Sequence, residues 1–445
     1  MKNYFQRFLD YLTAFCNLKP IVALKDGFIL TIPATLVGSL FLLMANFPID
    51  GYNEFMTSIL GVGWADPLNQ VAGATYDILA ILVVLGLSYK FATVSGVDGI
   101  SCSILALVSF LIVTASETVS ASGDIVTGVI PKLWVGGNGI ITAIIMGLLT
   151  SYIFCFFIKR NVIIKMPDSV PEGVSKAFAA LLPGFVIFLI SAIIYTVCRA
   201  FGGLTFTELV FAVLQTPLQA FSGSLPGGIF LTLLIGLLFW CGIHGPNVVG
   251  GVMNPIWTAA ALSNQAILNG GQALVAGENA EILTIQVFDV FIKLGGCGIT
   301  LGLLIAALLS AKSAQMKSIT RLSVVPGIFN INEPVVFGLP IAFNAYFLVP
   351  FLLVPVIALI ICYFAILSGF LPPFNGVQVP WTTPPIISGF LLAGWQGIVV
   401  QIVILIMSVV VYFPFVKKQD HMCVKQEQVC ADEEDEDLET LAFDL

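Results

Sequence analysis

Glu333 is the residue of this chain with the most chemistry to offer. It lies in VVPGIFNINEPVVFGLP (324–340), a stretch as apolar as a membrane span that nevertheless holds Pro326, Pro334, Pro340, two glycines and two asparagines. A carboxylate buried ionised in such surroundings costs several kcal/mol, so it must be paired, protonated or used. The neighbouring amides of Asn330 and Asn332 both donate and accept hydrogen bonds, which suits a polyhydroxyl ligand. His244 holds a comparable position in GIHGPN (242–247), where flanking glycines permit close backbone approach and Asn247 adds a further amide. An imidazole can donate to one hydroxyl and accept from another. Trp381, in VPWTTP (379–384), offers a flat apolar face on which a sugar ring can stack. Each has a structural alternative: Glu333 as a counter-charge closing a hairpin, His244 as a satisfied core group, Trp381 as an interfacial tryptophan like Trp64, Trp134 and Trp395. Asp289 and Lys293 stand four apart on one helical face and are expected to neutralise each other, with a proton relay as the alternative.

The elements that position these residues must be membrane helices. Of 445 residues 58% are hydrophobic and 10% charged, with a mean hydropathy of +1.01. A soluble domain carries about 25% charged residues. The 18 Lys and Arg are too few and too scattered for a nucleic-acid surface, and two histidines, His244 and His421, cannot form a His-based metal cluster; no metal or cofactor is expected. The net charge of −8 is concentrated in the C-terminal tail, residues 417–445, which hold three Lys and ten Asp or Glu. This tail reads as disordered and solvated. The nine cysteines occur singly and read as small buried hydrophobes, with Cys430 the one exposed candidate.

Apolar runs near 28–47, 71–89, 99–115, 139–158, 177–198, 228–241, 248–268, 284–310, 340–370 and 388–415 predict an all-α polytopic fold of about ten transmembrane helices. The first run reads as a retained helix, not a cleaved signal peptide. Ten crossings put both termini and fifteen basic residues on one side, against Lys132 and Arg199 on the other, with Lys293 inside a span. That skew predicts cytoplasmic termini. Residues 324–340 and 242–257 are expected to break as re-entrant, polar segments, because irregular backbone at membrane depth needs protein or a water-filled cavity around it. Gly298 and Gly302 suggest a close helix contact.

The segments GFILTIPATLVGSLFLLMANFP (27–48), IIKMPDSVPEGVSKAFAALLPGF (163–185), FWCGIHGPN (239–247) and PGIFNINEPVVFGLPIAFN (326–344) resemble enzyme IIC, the membrane subunit of bacterial phosphotransferase systems, of the lactose/cellobiose/diacetylchitobiose family. The likeness runs from the first span to about Phe415. It implies a permease of the bacterial inner membrane with a short cytoplasmic N-terminus (1–27), an N-terminal half that forms a homodimer (28–199) and a C-terminal transport half that moves as an elevator (200–416); the acidic tail (417–445) departs from the family pattern. By the same resemblance Glu333 and His244 contact the sixth-carbon hydroxyl of a disaccharide, Asn332 binds the sugar and Trp381 stacks on it. A phosphocysteine on a separate enzyme IIB, charged through enzyme IIA and HPr, then phosphorylates that hydroxyl. Without an appended IIB-like segment, a cellobiose or diacetylchitobiose type is expected over a lactose type. An ion-coupled sugar symporter is the alternative. An intramembrane enzyme has little support: no nucleophile–histidine arrangement, H-E-x-x-H or paired aspartates occur.

Overall fold

A chain this poor in polar side chains has to close its backbone hydrogen bonds within each segment, and in an apolar medium a single segment does so as a helix. The computed structural model has that character, with 73% of its described residues helical. It describes residue 14 and residues 18–49, 51–120, 123–167, 169–339, 341 and 343–443, and of residues 337, 345 and 430–443 the backbone alone. Lys2, Arg7, Cys16 and Pro340, and the side chain of Cys430, fall outside that description.

Among the described residues, six helical stretches are long and apolar enough to cross a membrane: Lys19–Ala45, Asp66–Val94, Gly137–Lys159, Glu172–Gly202, Tyr346–Leu367 and Ile387–Val429. A seventh is formed if Phe206–Gly223 and Leu225–Trp240, bent by 82° at their junction, count as one. Three of the ten runs read from sequence take other forms. The run 99–115 is the shorter helix Gly99–Ile112, and 284–310 divides into a π-helical turn (Val287–Phe291) and the helix Thr300–Ser310. The run 248–268 lies within Gly245–Asn269, which is too polar to qualify. One small departure from an all-α fold is the antiparallel hairpin Glu117–Val119 with Ile125–Thr127, where β-branched residues flank a turn. Glu117 pairs with Arg199 at 2.6 Å.

The chain forms two compact units, interleaved in sequence and not divided by a single boundary at 199/200. The first takes residues 1–227, 247–285 and 373–378; the second takes 228–246, 286–372 and 379–445.

In the first unit Leu79–Val94, Gly99–Ile112 and Ile140–Lys159 share a core around Leu79, Val83, Phe110 and Met146, all fully buried, joined by Ala259 of Gly245–Asn269. Lys19–Ile29 approaches Leu79–Val94 closely, since a Cβ on Gly86 would stand 2.5 Å from the Gly27 carbonyl oxygen. Two polar side chains explain why distant segments join this unit. Asn264 donates to the carbonyls of Glu281 and Phe374 and accepts from the Glu281 amide. Ser39 exchanges hydrogen bonds with both backbone groups of Gln378.

In the second unit Ala345–Leu367 buries Phe347, Phe351, Val354, Ala358, Cys362 and Ile366, a helical stripe, despite Pro350 and Pro355. Thr300–Ser310 lies so close to the C-terminal helix that a Cβ on Gly302 would overlap Ser408, so the G-x-x-x-G expectation holds for Gly302. Gly298 is required twice over, by its φ of +85° and because a Cβ there would overlap the Phe351 ring of Ala345–Leu367. The stretch Ile387–Phe443 reverses at Ala393 and Gly394, and Gly397 meets Gly389 face to face across the turn.

The disordered reading of the tail is corrected. Helix continues through 417–429, and its backbone runs on to Phe443. Asp420 accepts from the amides of Lys312 and Ser313 and from the Ser313 hydroxyl, while Glu427 accepts from the amides of Ala314 and Gln315. These are amides that the start of the helix Ala314–Ile328 cannot satisfy internally, and two carboxylates supply the acceptors. Charge density alone predicts solvation; this pairing is tertiary.

Candidate functional site

The site is built from the second unit's broken segments. Helix Ala314–Ile328 ends two residues after Pro326, Asn330 turns the chain with φ +63°, and the six-residue helix Glu333–Gly338 starts with Glu333 at its first position. A Cβ on Gly338 would meet the Ile319 side chain at 2.8 Å, so the two helices fold back on each other as the expected hairpin. Beneath the turn lies the loop LGGCGI (294–299), in which Gly295, Gly296, Gly298 and Ile299 all have positive φ. A side chain is strained in that conformation, and at Gly296 a Cβ would also stand 2.5 Å from Cγ of Asn332.

The two asparagines fasten hairpin to loop. Asn330 Oδ1 accepts from the Gly295 amide at 2.7 Å, and its Nδ2 donates to the carbonyls of Trp381 and Thr383 at 2.6 and 3.0 Å. Asn332, buried, donates to the Cys297 carbonyl at 2.7 Å. Both amides therefore hold backbone that lacks regular hydrogen bonding.

The histidine segment is more regular than 242–257 predicts. The break is confined to 241–244, after which Gly245–Asn269 runs as one helix through Pro255. Pro246 is tolerated because its missing N–H lies in the first turn, where no intrahelical acceptor exists. Gly242 takes φ +79°, and a Cβ on Gly245 would overlap the Ile235 carbonyl, so both glycines around His244 are required by shape. The segment is clipped to the residues after the hairpin: Phe343 N donates to the Trp240 carbonyl at 3.0 Å, and Trp240 Nε1 donates to the Asn344 carbonyl at 2.9 Å. The rings of Phe239 and His244 pack in a T-shaped arrangement with centroids 5.2 Å apart.

This brings His244 Nε2 to 3.9 Å from Glu333 Oε1, with 44% and 49% of the two side chains exposed. The gap is too long for a direct hydrogen bond but admits a hydroxyl oxygen about 2.8 Å from each. Trp381 is tied in through its carbonyl, and its side chain is exposed. Asn247 falls in the first unit. Asp289 and Lys293 pair at 2.5 Å, as their spacing predicts.

One residue of this region has no counterpart among the candidates drawn from the sequence. Gln401, fully buried, accepts from the amides of Ile386 and Gly389 and donates to the Val290 carbonyl and the Ser388 hydroxyl. It caps the helical hairpin that turns at Gly394 and joins it to the π-helical turn. A glutamine within the apolar run 388–415, next to Gly389, Gly394 and Gly397, is the signal that points to it.

A polytopic helical membrane protein with a partly exposed carboxylate–imidazole pair, framed by interrupted helices, has the make-up of a transporter for a neutral hydroxylated solute. The comparisons specify which kind. A family model described as "Phosphotransferase system, EIIC" matches residues 25–355. The lichenan permease IIC component of Bacillus subtilis (strain 168) is 40% identical over 414 residues, covering 91% of this chain and 90% of that protein. The cellobiose-specific EIIC component of Geobacillus stearothermophilus is 38% identical over 418 residues, covering 91% of each. The crystal structure of ChbC, the IIC component of the N,N'-diacetylchitobiose-specific phosphotransferase system, superposes with a TM-score of 0.89 at 36% identity, covering 94% of this chain and 98% of that one. The chain belongs to the phosphotransferase-system EIIC family. Its apolar helices and this membership imply a protein of the bacterial inner membrane.

Proposed function

We propose that the chain translocates a disaccharide of the cellobiose or diacetylchitobiose type and presents its sixth-carbon hydroxyl to phospho-enzyme IIB, itself supplied through enzyme IIA and HPr. The observation that carries the reading is the 3.9 Å spacing of Glu333 and His244. Glu333 accepts a hydrogen bond from that hydroxyl and His244 completes its coordination. Trp381 stacks on the sugar, Asn332 contacts it from the hairpin, and Asn247 is a further candidate ligand. Asn330, its amide engaged by three backbone groups, acts as a positioning residue.

The polypeptide crosses the membrane ten times with both termini cytoplasmic, dimerises through 28–199 amid the lipid, and moves as the carrier the part of 200–416 that belongs to the second unit, 228–246, 286–372 and 379–416. Reporter fusions at Lys418 and within 269–283 are expected on opposite sides; the same side for both overturns this topology. The site is tested with Glu333→Gln, which keeps the shape and removes the charge. A charge-assisted hydrogen bond is worth roughly 1.5–3 kcal/mol, so affinity for cellobiose or diacetylchitobiose falls on the order of tenfold to a hundredfold. Labelled disaccharide should accumulate as its phosphate only where phosphoenolpyruvate is supplied. Intact affinity with lost gradient-driven accumulation would instead assign Glu333 to ion coupling, a reading that family membership does not support.

A further inference from the structure

The first unit contains a concentration of polar side chains that the site above does not use. Two cavities of about 220 and 480 Å³ share Tyr76, Asp77, Lys132, Gln265 and Asn269 in their walls. The helix Asp66–Tyr76 turns Asp66, Asn69, Gln70 and Gly73, spaced three and four apart, toward the smaller one. The larger has apolar walls that include Phe211 and Leu262, with polar groups at a few points, and its volume is that of a small-ligand site.

Chemistry narrows the solute. Lys132 is occupied by Asp77 at 2.9 Å, so that pair presents no net charge, and Asp66 disfavours an anion. Gln265 donates to Asn269 at 2.9 Å and accepts from the Gly376 amide at 3.3 Å, which leaves Asn69 and Gln70 as the amides open to a ligand, and an amide hydrogen-bonds hydroxyl groups in both senses. The side chains of Asn69 and Gln70 are exposed and make no hydrogen bond among the described residues, so the fold does not require them. In the ten-span topology proposed above, Lys132 and the chain that follows Asn269 face outward.

We propose that this cavity is a second saccharide site, formed wholly by the first unit, that holds the neutral disaccharide on the outer side before it reaches Glu333 and His244. The inference rests on the permease reading and on that topology.

The test uses purified full-length protein, with cellobiose and diacetylchitobiose as probes in calorimetric titrations, and labelled uptake in cells. Wild type is expected to show a tight and a weaker component, and Glu333→Gln to retain the weaker one. Adding Asn69→Leu with Gln70→Leu should weaken that component by at least about fivefold, the loss expected for one hydrogen bond. In an otherwise wild-type chain the two leucines should lower uptake at sub-saturating sugar, leaving tight binding and the maximal rate unchanged. A single tight component in wild type, none of it surviving Glu333→Gln, would overturn the second site and leave the permease reading standing. Weak binding indifferent to the two leucines would also overturn it. No binding of either sugar by the wild type would overturn both readings.

Discussion

The helical core of the first unit and the hairpin region of the second solve the same problem in opposite ways. Around Phe110, three regular helices satisfy their own backbone and meet through apolar side chains and close glycine contacts. Around Glu333 the helices stop short, and side-chain amides do what intrahelical bonds do elsewhere. Asn330 holds three backbone groups, Asn332 one and Gln401 three, together with the Ser388 hydroxyl. Regular helix is stable without such help but offers a ligand only side chains. Interrupted helix can expose a carboxylate and an imidazole at membrane depth, provided every freed backbone group finds a partner.

If that contrast is right, mutations in the two regions should separate stability from binding. The largest stability effect is expected at Phe110. Phe110→Ala opens a cavity in the first unit's core and should cost about 3–5 kcal/mol, read as earlier thermal unfolding in detergent. Sugar affinity per folded molecule should stay unchanged, and a matching loss of affinity would break the contrast. Next comes Gln401→Leu, which keeps the volume but strips the shared acceptor from the amides of Ile386 and buried Gly389. About 1–3 kcal/mol of stability should go, and here affinity should fall too, because the 386–401 hairpin loses its cap. Unchanged affinity would show that this cap does not serve the site.

The smallest effect sharpens the first unit's side. Asp98 caps the helix Gly99–Ile112, accepting from the Ser101 amide at 2.9 Å. Burial raises its pKa, but the Ser101 hydroxyl, the amides of Ser101 and Ile100, and Lys176 outweigh that, so it sits below the ordinary carboxylate value. Asp98→Ala should cost ~1 kcal/mol. Because the folded value is depressed, the contribution is fully present above the unfolded pKa of about 3.9 and is lost as pH falls through the folded one. Wild-type and variant stabilities should therefore converge in acid. A gap that persists at low pH would mean that the carboxylate charge plays no part.

Much of the site is legible in residue types and their spacing. The cost of burying a charge singles out Glu333, proline and glycine density marks the hairpin around it, and the spacing of Asp289 and Lys293 fixes their pairing. Asn330 and Asn332 are legible as polar groups but not as fasteners, because their partners at 295, 297, 381 and 383 are far away in sequence and expose only backbone, which every residue carries. Gln401 is hidden in the same way within an apolar run. The tail misleads because ten acidic residues in 417–445 suggest solvation, whereas Asp420 and Glu427 answer to a helix start a hundred residues earlier.

Composition and periodicity by themselves determined that this is a helical membrane protein with a polar, broken region near Glu333 and His244, because hydrophobicity, helix breaking and burial of charge are local properties of residue types. The tertiary structure alone decided that 247–285 and 373–378 join the first unit, that the break at His244 is only a few residues long, and that His244 lies 3.9 Å from Glu333. Those outcomes depend on single hydrogen bonds and glycine contacts between segments far apart in the chain, and no property of either segment alone specifies its partner.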